Sequence, residues 1–261
     1  MSIIQIILIG LFIYLGSIGS IIGNTLGWYT LGRPLVAAFV VGIILGDIPT
    51  SMKVGIPLQI MYMGNVTPGG AVAWDLSYAT YIGTTAALVF GKGMDTNGVI
   101  GLAVVFAGIG GLVGQVVWNV SYALNLPINR VAQKYAEAGE TKKMYIPNVV
   151  LGQLIGFACR FIPAVIVLTS MTAASGQADF ATLIPGWVTI GLGVFGGMMA
   201  ALGMGIILSF LLKKKYQFAI YLVGFILVTY FELNTMAVAV IAILTAVIYY
   251  AIVSSKSAEV N

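Results

Sequence analysis

Long runs without a single charged residue constrain this chain more than any other feature of its sequence. No charge occurs before Arg33, none between Asp95 and Arg130, and none between Asp179 and Lys213. Each gap exceeds the roughly 20 apolar residues that an α-helix needs to cross a bilayer. The sequence therefore predicts an all-α polytopic membrane protein, and the whole of 1–261 is interpreted as one membrane-embedded domain.

Composition excludes several other classes. Hydrophobic residues make up 60% of the 261 residues and charged residues 8%, whereas a soluble domain usually carries about 25% charged residues. Histidine is absent and Cys159 is the one cysteine, which removes the commonest general base and any cysteine cluster for a metal. We therefore expect no catalytic residue, no cofactor or metal site and no nucleic-acid partner in this chain.

The apolar segments differ in length. Residues 3–29 form a long apolar stretch, and 35–46 and 54–64 are short pieces joined by Asp47–Lys53. These two pieces are too short to cross comfortably, so region 35–70 is interpreted as a re-entrant hairpin or broken helix. The other crossings are predicted at 72–90, 98–124, 148–172, 185–212, 216–232 and 234–253.

Basic residues orient these crossings by the positive-inside rule. The polar segment 127–147 and Lys213–Lys215 are placed in the cytoplasm, and the loops 173–184 and 232–234 outside. Alternation then places the N-terminus outside. Lys53 and Lys92 are single charges that this rule assigns to neither side.

Polar residues cluster around the broken segment. Gln59, Asn65 and Thr67 precede a Gly-Gly pair, and Trp74 and Asp75 follow it. A charge near the bilayer centre costs about 2.5–3.5 kcal/mol, so such residues suggest a functional site. The mixture of donors and acceptors suits the hydroxyl groups of a sugar.

Other features are open to a structural or a functional interpretation. Trp74, Tyr78 and Tyr81 share one helical face, which would stack on a sugar ring or form an interfacial aromatic belt. Arg160 would pair with a carboxylate or a backbone carbonyl, or serve function directly. Asp47 is interpreted as a turn residue and Glu232 as part of a solvated cap. Pairs of glycines four residues apart, such as Gly110 and Gly114, favour close helix packing.

Residues and spacing alone lead to a transporter or channel component with a broken-helix polar site. The chain has no phosphate-binding GxxxxGK[ST] loop, so ATP hydrolysis by that route is excluded.

Several strings resemble the IIC membrane component of the mannose/fructose/sorbose/N-acetylgalactosamine branch of the bacterial phosphotransferase system. They are Gly32–Leu35, Val41–Asp47, Gly55–Gly64, Gly70–Asp75, Arg160–Ala164 and Leu233–Ala237. The resemblance covers about the whole chain, and its N-terminal third is the most specific part.

The resemblance implies a multi-pass permease of the bacterial inner membrane that translocates a hexose, hexosamine or sorbose. It implies a IID membrane subunit, soluble IIA and IIB phosphoryl carriers, and a trimer of IIC–IID pairs. Carrying the polar site of the family over gives Gln59, Asn65 and Asp75. Gln59 stands where some relatives have Glu, and Trp74 where relatives often have Pro, which would favour an amino sugar, an acetamido sugar or sorbose over mannose.

Three alternatives remain open. An ion-coupled secondary transporter or facilitative channel would share the broken helices and the polar site. A membrane-embedded enzyme such as a lipid-modifying transferase would need convergent acids, His or metal ligands, which the sequence does not display. Docking of bacteriocins or phage on the external loops would be an added role.

Overall fold

The computed structural model describes residues 1–63, 74–175 and 186–258. Every regular element within those residues is helical. The α-helices are α1 Ile3–Leu15, α2 Gly23–Leu26, α3 Pro34–Leu45, α4 Ile48–Met61, α5 Leu76–Phe90, α6 Thr96–Glu137, α7 Gly152–Ser175, α8 Gly186–Leu211, α9 Lys215–Thr229 and α10 Thr235–Ala258. Two π-helical turns at Gly27–Leu31 and Ile146–Leu151 and a 3-10 turn at Thr141–Met144 complete the described elements.

Three helical segments of the described chain are long and apolar enough to cross a membrane. They are Thr96–Glu137, Thr141–Ser175 and Thr235–Ile252. A fourth crossing results if the bent pair Gly23–Leu31 and Pro34–Leu45, whose axes differ by 79°, counts as one broken span. The predicted class, an all-α polytopic membrane protein with broken helices, is confirmed.

The N-terminal apolar stretch 3–29 is not one continuous helix. Helix α1 ends at Leu15, and the hydroxyl groups of Ser17 and Ser20 then donate to backbone carbonyls at the end of α1. Gly19 and Gly23 adopt φ of 75° and 77°, which is the left-handed region that glycine enters without steric cost. The glycines and serines therefore end the first helix well before residue 29.

Helices α3 and α4 replace the two short apolar pieces of the sequence. The turn between them is shorter than predicted, because Gly46 takes φ 81° and Asp47 already caps α4 by accepting from Thr50 N at 3.1 Å. This capping role confirms Asp47 as a turn residue. The re-entrant character of region 35–70 stays a prediction, and its residues 64–70 lie outside the described residues.

Helix α6 is 42 residues long, about 63 Å at 1.5 Å per residue. It passes through Pro127 and ends at Glu137, so the first half of the predicted loop 127–147 is helical. A hydrocarbon core is only about 30 Å thick, so α6 extends well beyond it. The cytoplasmic position of 127–147 stays a prediction.

The chain forms two compact units, Met1–Ile207 and Leu208–Asn261. In the first unit, α5 is nearly all buried and packs most extensively against α6. In the second unit, α9 and α10 leave large apolar side chains such as Phe225 and Leu244 exposed. Asn234 accepts from Ala237 N at 2.7 Å at the start of α10, and Glu232 beside it is exposed, as the predicted solvated cap requires.

Candidate functional site

Asp75 occupies the N-cap position of α5. Its Oδ1 accepts a hydrogen bond from Tyr78 N at 3.1 Å, so it satisfies one of the backbone donors that a helix leaves unpaired at its first turn. A carboxylate is also stabilised by the positive end of the helix dipole. The side chain is buried all the same, with the residue 1% exposed.

Arg160 of α7 supplies the counter-charge. Its Nη1 donates to Asp75 Oδ2 at 2.6 Å, and both side chains are buried. The guanidinium also lies 5.1 Å from the ring centroid of Trp118 of α6, within the range of a cation–π contact. Each charge is thus compensated, which is the condition for retaining charges away from water. Arg160 therefore pairs with a carboxylate, one of the interpretations that the sequence leaves open.

Glycines of α6 make room for this junction. A Cβ at Gly110 would lie 2.8 Å from the backbone carbonyl of Tyr78, and one at Gly114 would collide with Asp75. Contacts this short exclude any side chain, so the backbones of α5 and α6 approach closely along Gly110 and Gly114. This is the close packing that their four-residue spacing predicts.

The prediction that Tyr78 and Tyr81 face a sugar or the membrane interface is wrong. Both are fully buried in the helical core. The Tyr78 hydroxyl donates to the carbonyl of Arg160, and the Tyr81 hydroxyl donates to the carbonyl of Leu31 at 3.1 Å. Their apolar rings fill the space between helices while the polar tips find backbone partners, so both are structural residues.

Trp74 differs from the two tyrosines because it is 36% exposed. Its ring centroid lies 6.5 Å from that of Tyr62, at the end of α4. A Cβ at Gly111 of α6 would lie 2.9 Å from Trp74 Cε3. The indole therefore packs directly on the glycine surface of α6, the face formed by Gly110, Gly111 and Gly114. An indole anchored on one face and exposed on another is suited to stacking on a ligand ring.

Gln59 lies on α4 and contacts the start of α3. Its Oε1 accepts from Leu35 N at 3.3 Å. Among the residues that the structure describes, no hydrogen bond joins Gln59 to Asp75. The two predicted residues Asn65 and Thr67 lie outside the described residues, so their part in the site stays a prediction.

The sequence interpretation did not include two buried polar atoms, one on Tyr62 beside Trp74 and one on Gln115 of α6. Within the described part of the chain, the buried Tyr62 Oη and Gln115 Oε1 have no hydrogen-bond partner. A buried polar atom without a partner costs about 1–3 kcal/mol, so each is a position that a polar ligand would satisfy. Gln115 follows Gly114 on α6 and is an amide within an uncharged, mostly apolar run, a signal present in the sequence.

Comparison with known proteins places these features in a wider group. The family described as PTS system sorbose-specific IIC component matches residues 3–248. The chain is 30% identical to the PTS system mannose-specific EIIC component of Escherichia coli strain K12, over 94% of this chain and 88% of that protein. It is 27% identical to the fructose permease IIC component of Bacillus subtilis strain 168, over 99% and 91%.

Solved structures resemble it as well. One described as the structure of a membrane protein has a TM-score of 0.76, with 27% identity and 96% of each chain covered. The cryo-electron-microscopy structure of the mannose transporter ManYZ in complex with microcin E492 has a TM-score of 0.53, again at 27% identity and with 96% of each chain covered.

Proposed function

The chain belongs to the sorbose-type IIC components of the bacterial sugar phosphotransferase system, and we propose that its polar site binds the transported sugar during alternating access. It is a sugar-permease subunit of a phosphotransferase complex in the inner membrane. The family includes relatives described as specific for mannose, fructose and sorbose. A hexose, hexosamine or sorbose is therefore the substrate class that we propose here.

The observation that carries the binding site is the compensated charge pair beside an exposed indole. Asp75 and Arg160 neutralise each other, and Trp74 next to Asp75 keeps an exposed face. Sugars are bound by rings that stack on their C–H faces and by polar atoms that meet their hydroxyl groups. Tyr62, whose ring lies beside Trp74, adds an unpartnered hydroxyl oxygen within the described residues.

We assign the bound sugar to Gln59, Asn65, Thr67, Trp74 and Asp75. Asp75 acts through its position: the ion pair occupies Oδ2 and the helix cap occupies Oδ1, while each oxygen retains a second lone pair for a sugar hydroxyl. Gln59 offers amide donors, because its carbonyl oxygen already accepts from Leu35 N. This division assigns acceptor and donor roles to different sides of the sugar.

Phosphoryl transfer is assigned to other subunits. The chain has no histidine, and its one cysteine, Cys159, is half-buried against the apolar core. Neither arrangement suits a residue that must meet a soluble phosphoryl donor. Soluble IIA and IIB proteins would carry the phosphate, a IID subunit would share the membrane domain as the two-component ManYZ transporter suggests, and trimeric symmetry is part of the same proposal.

The decisive experiment measures phosphoenolpyruvate-dependent phosphorylation of hexoses, hexosamines and sorbose. Membranes containing the companion subunits are compared with and without this chain. We expect one sugar class to be phosphorylated only when the chain is present. Uptake of unmodified sugar without phosphoenolpyruvate would instead support an ion-coupled transporter or a facilitative channel, the second candidate, which shares the broken helices.

A further inference from the structure

A cleft of about 290 Å3 opens where the start of α4 meets the turn between α5 and α6. It is separate from the proposed sugar site. Asp75 caps the start of α5 and Gly91, which lines the cleft, caps its end, and the 15 residues between them span about 22 Å. The cleft therefore lies at the opposite end of α5 from Asp75.

Two lysines from different elements line this cleft. Lys53 comes from α4 and Lys92 from the turn after α5, and both are exposed. In the described ranges of the chain, neither lies within ion-pairing distance of a carboxylate. Asp47 also lines the cleft and stays negatively charged while its Oδ1 accepts from Thr50 N, so two lysines and one aspartate give the lining a formal net charge of +1. The two ammonium groups outnumber the one carboxylate of the lining, so the cleft attracts an anion.

The rest of the cleft mixes polar and apolar residues. Val54, Ala87 and Val99 are buried residues of its lining, and Leu88 and Ile100 add further apolar side chains. The hydroxyl-bearing Thr50 and Thr96 stand with the lysines on the polar side. A ligand that fits this lining combines an anionic group with an apolar body.

We propose that this cleft binds a phosphate group between Lys53 and Lys92, carried by an anionic phospholipid or by a soluble phosphate compound. The half-buried Leu88 and Ile100 keep some apolar surface in the lining, and this surface favours the lipid, because a glycerol backbone and the first acyl carbons would cover it while a small phosphate would not. Basic pockets between membrane helices on the cytoplasmic side bind the headgroups of anionic lipids. The positive-inside rule assigns Lys53 and Lys92 to neither side of the membrane, and this proposal gives both lysines a role in one site.

The test uses the full chain purified in detergent together with its membrane partner subunit. Native mass spectrometry counts the phosphatidylglycerol that stays bound, with phosphatidylcholine as the zwitterionic comparison of zero net charge. The Lys53→Ala/Lys92→Ala variant is expected to bind phosphatidylglycerol about thirtyfold more weakly, at about 1 kcal/mol for each lysine. Lys53→Arg/Lys92→Arg keeps both charges and is expected to retain binding.

Lys142→Ala is the matched control, because Lys142 is an exposed lysine on the 3-10 turn and does not line the cleft. It should bind phosphatidylglycerol as the unmodified protein does. Equal binding by the double Ala variant would overturn the site. If inorganic phosphate binds in a lysine-dependent manner while phosphatidylglycerol does not, the phosphate site stands and the lipid is excluded as its source.

Discussion

The carboxylate of Asp75 and the guanidinium of Arg160 form a buried ion pair across 85 residues of sequence. The pair joins the first turn of α5 to the middle of α7, while the ring of Trp118 brings α6 to the same point. Three helices thus meet at one compensated charge. Its removal should affect folding and transport together, and the two effects have to be separated by choice of variant.

Breaking one side of the pair should destabilise the protein strongly. Arg160→Gln leaves the Asp75 carboxylate buried without its partner, which costs about 3–5 kcal/mol. The double variant Asp75→Asn/Arg160→Gln removes both charges and should recover part of that loss. The measurement is the Tm of the purified protein in detergent. Asp75→Asn completes the comparison. If the stability lost by the double variant equals the sum of the losses in Asp75→Asn and Arg160→Gln, the two side chains are not coupled.

Gly114→Ala should prevent normal packing of α5 on α6. The added Cβ would lie 2.8 Å from Tyr78 Cβ and still closer to Asp75, so the helices must separate. Gly108→Ala on the same helix is the control, since a Cβ there meets no atom within 4 Å. We expect a clear fall in the yield of monodisperse protein for Gly114→Ala and little change for Gly108→Ala. Similar yields for the two variants would contradict the close approach.

Trp74 and Tyr78 should behave differently in transport. Trp74→Ala removes an exposed ring, and we expect the KM for sugar uptake to rise about tenfold. Tyr78→Phe removes a hydroxyl that is bound to the Arg160 carbonyl, costs about 1 kcal/mol of stability, and should leave KM unchanged. Uptake kinetics in membranes containing the companion subunits measure both. A raised KM for Tyr78→Phe with normal kinetics for Trp74→Ala would reverse the assignment.

Gln59 offers a test that separates helix capping from sugar binding. Gln59→Glu keeps an oxygen to accept from Leu35 N but loses the amide donors, whereas Gln59→Ala loses both. If the amide binds sugar, both variants raise KM about fivefold, the value of one hydrogen bond, while only Gln59→Ala lowers Tm. Normal uptake in both variants would remove Gln59 from the site.

The predicted orientation can be tested by labelling single cysteines in a Cys159→Ala background. Lys142→Cys and Lys213→Cys should be protected from a membrane-impermeant maleimide in intact cells, because basic segments stay in the cytoplasm. Glu232→Cys should react from outside. All three positions are exposed, so a difference reports the side of the membrane. Labelling of Lys213→Cys in intact cells would refute the orientation.

The fold class follows from the sequence because charged side chains are costly in the core of a bilayer. Uncharged runs therefore locate the long helices, and glycines mark where segments break. The end of α1 at Leu15 was less apparent, although Gly16, Gly19 and Gly23 were visible signals of a break. Apolar composition alone does not distinguish one continuous helix from two that are separated by a turn.

The candidate site was only partly predictable. Asp75 and Arg160 each stood out as a charge in an apolar segment, but their pairing depends on how α5 and α7 pack, which no local pattern encodes. The spacing of Trp74, Tyr78 and Tyr81 predicts one shared helical face, but Trp74 precedes α5, and both tyrosines are buried by neighbouring helices that the spacing does not reveal. The two residues bury their rings because neighbouring backbone carbonyls receive their hydroxyls.

The glycine surface of α6 has a mechanical consequence. Side chains from only one of the two helices fill the contact at Gly111 and Gly114, and such closely packed surfaces resist sliding past each other. Helices α5 and α6 should then turn together as one rigid lever, with the polar cluster at Asp75 carried along on it. Force applied anywhere along the 42-residue helix would be delivered to that cluster as rotation.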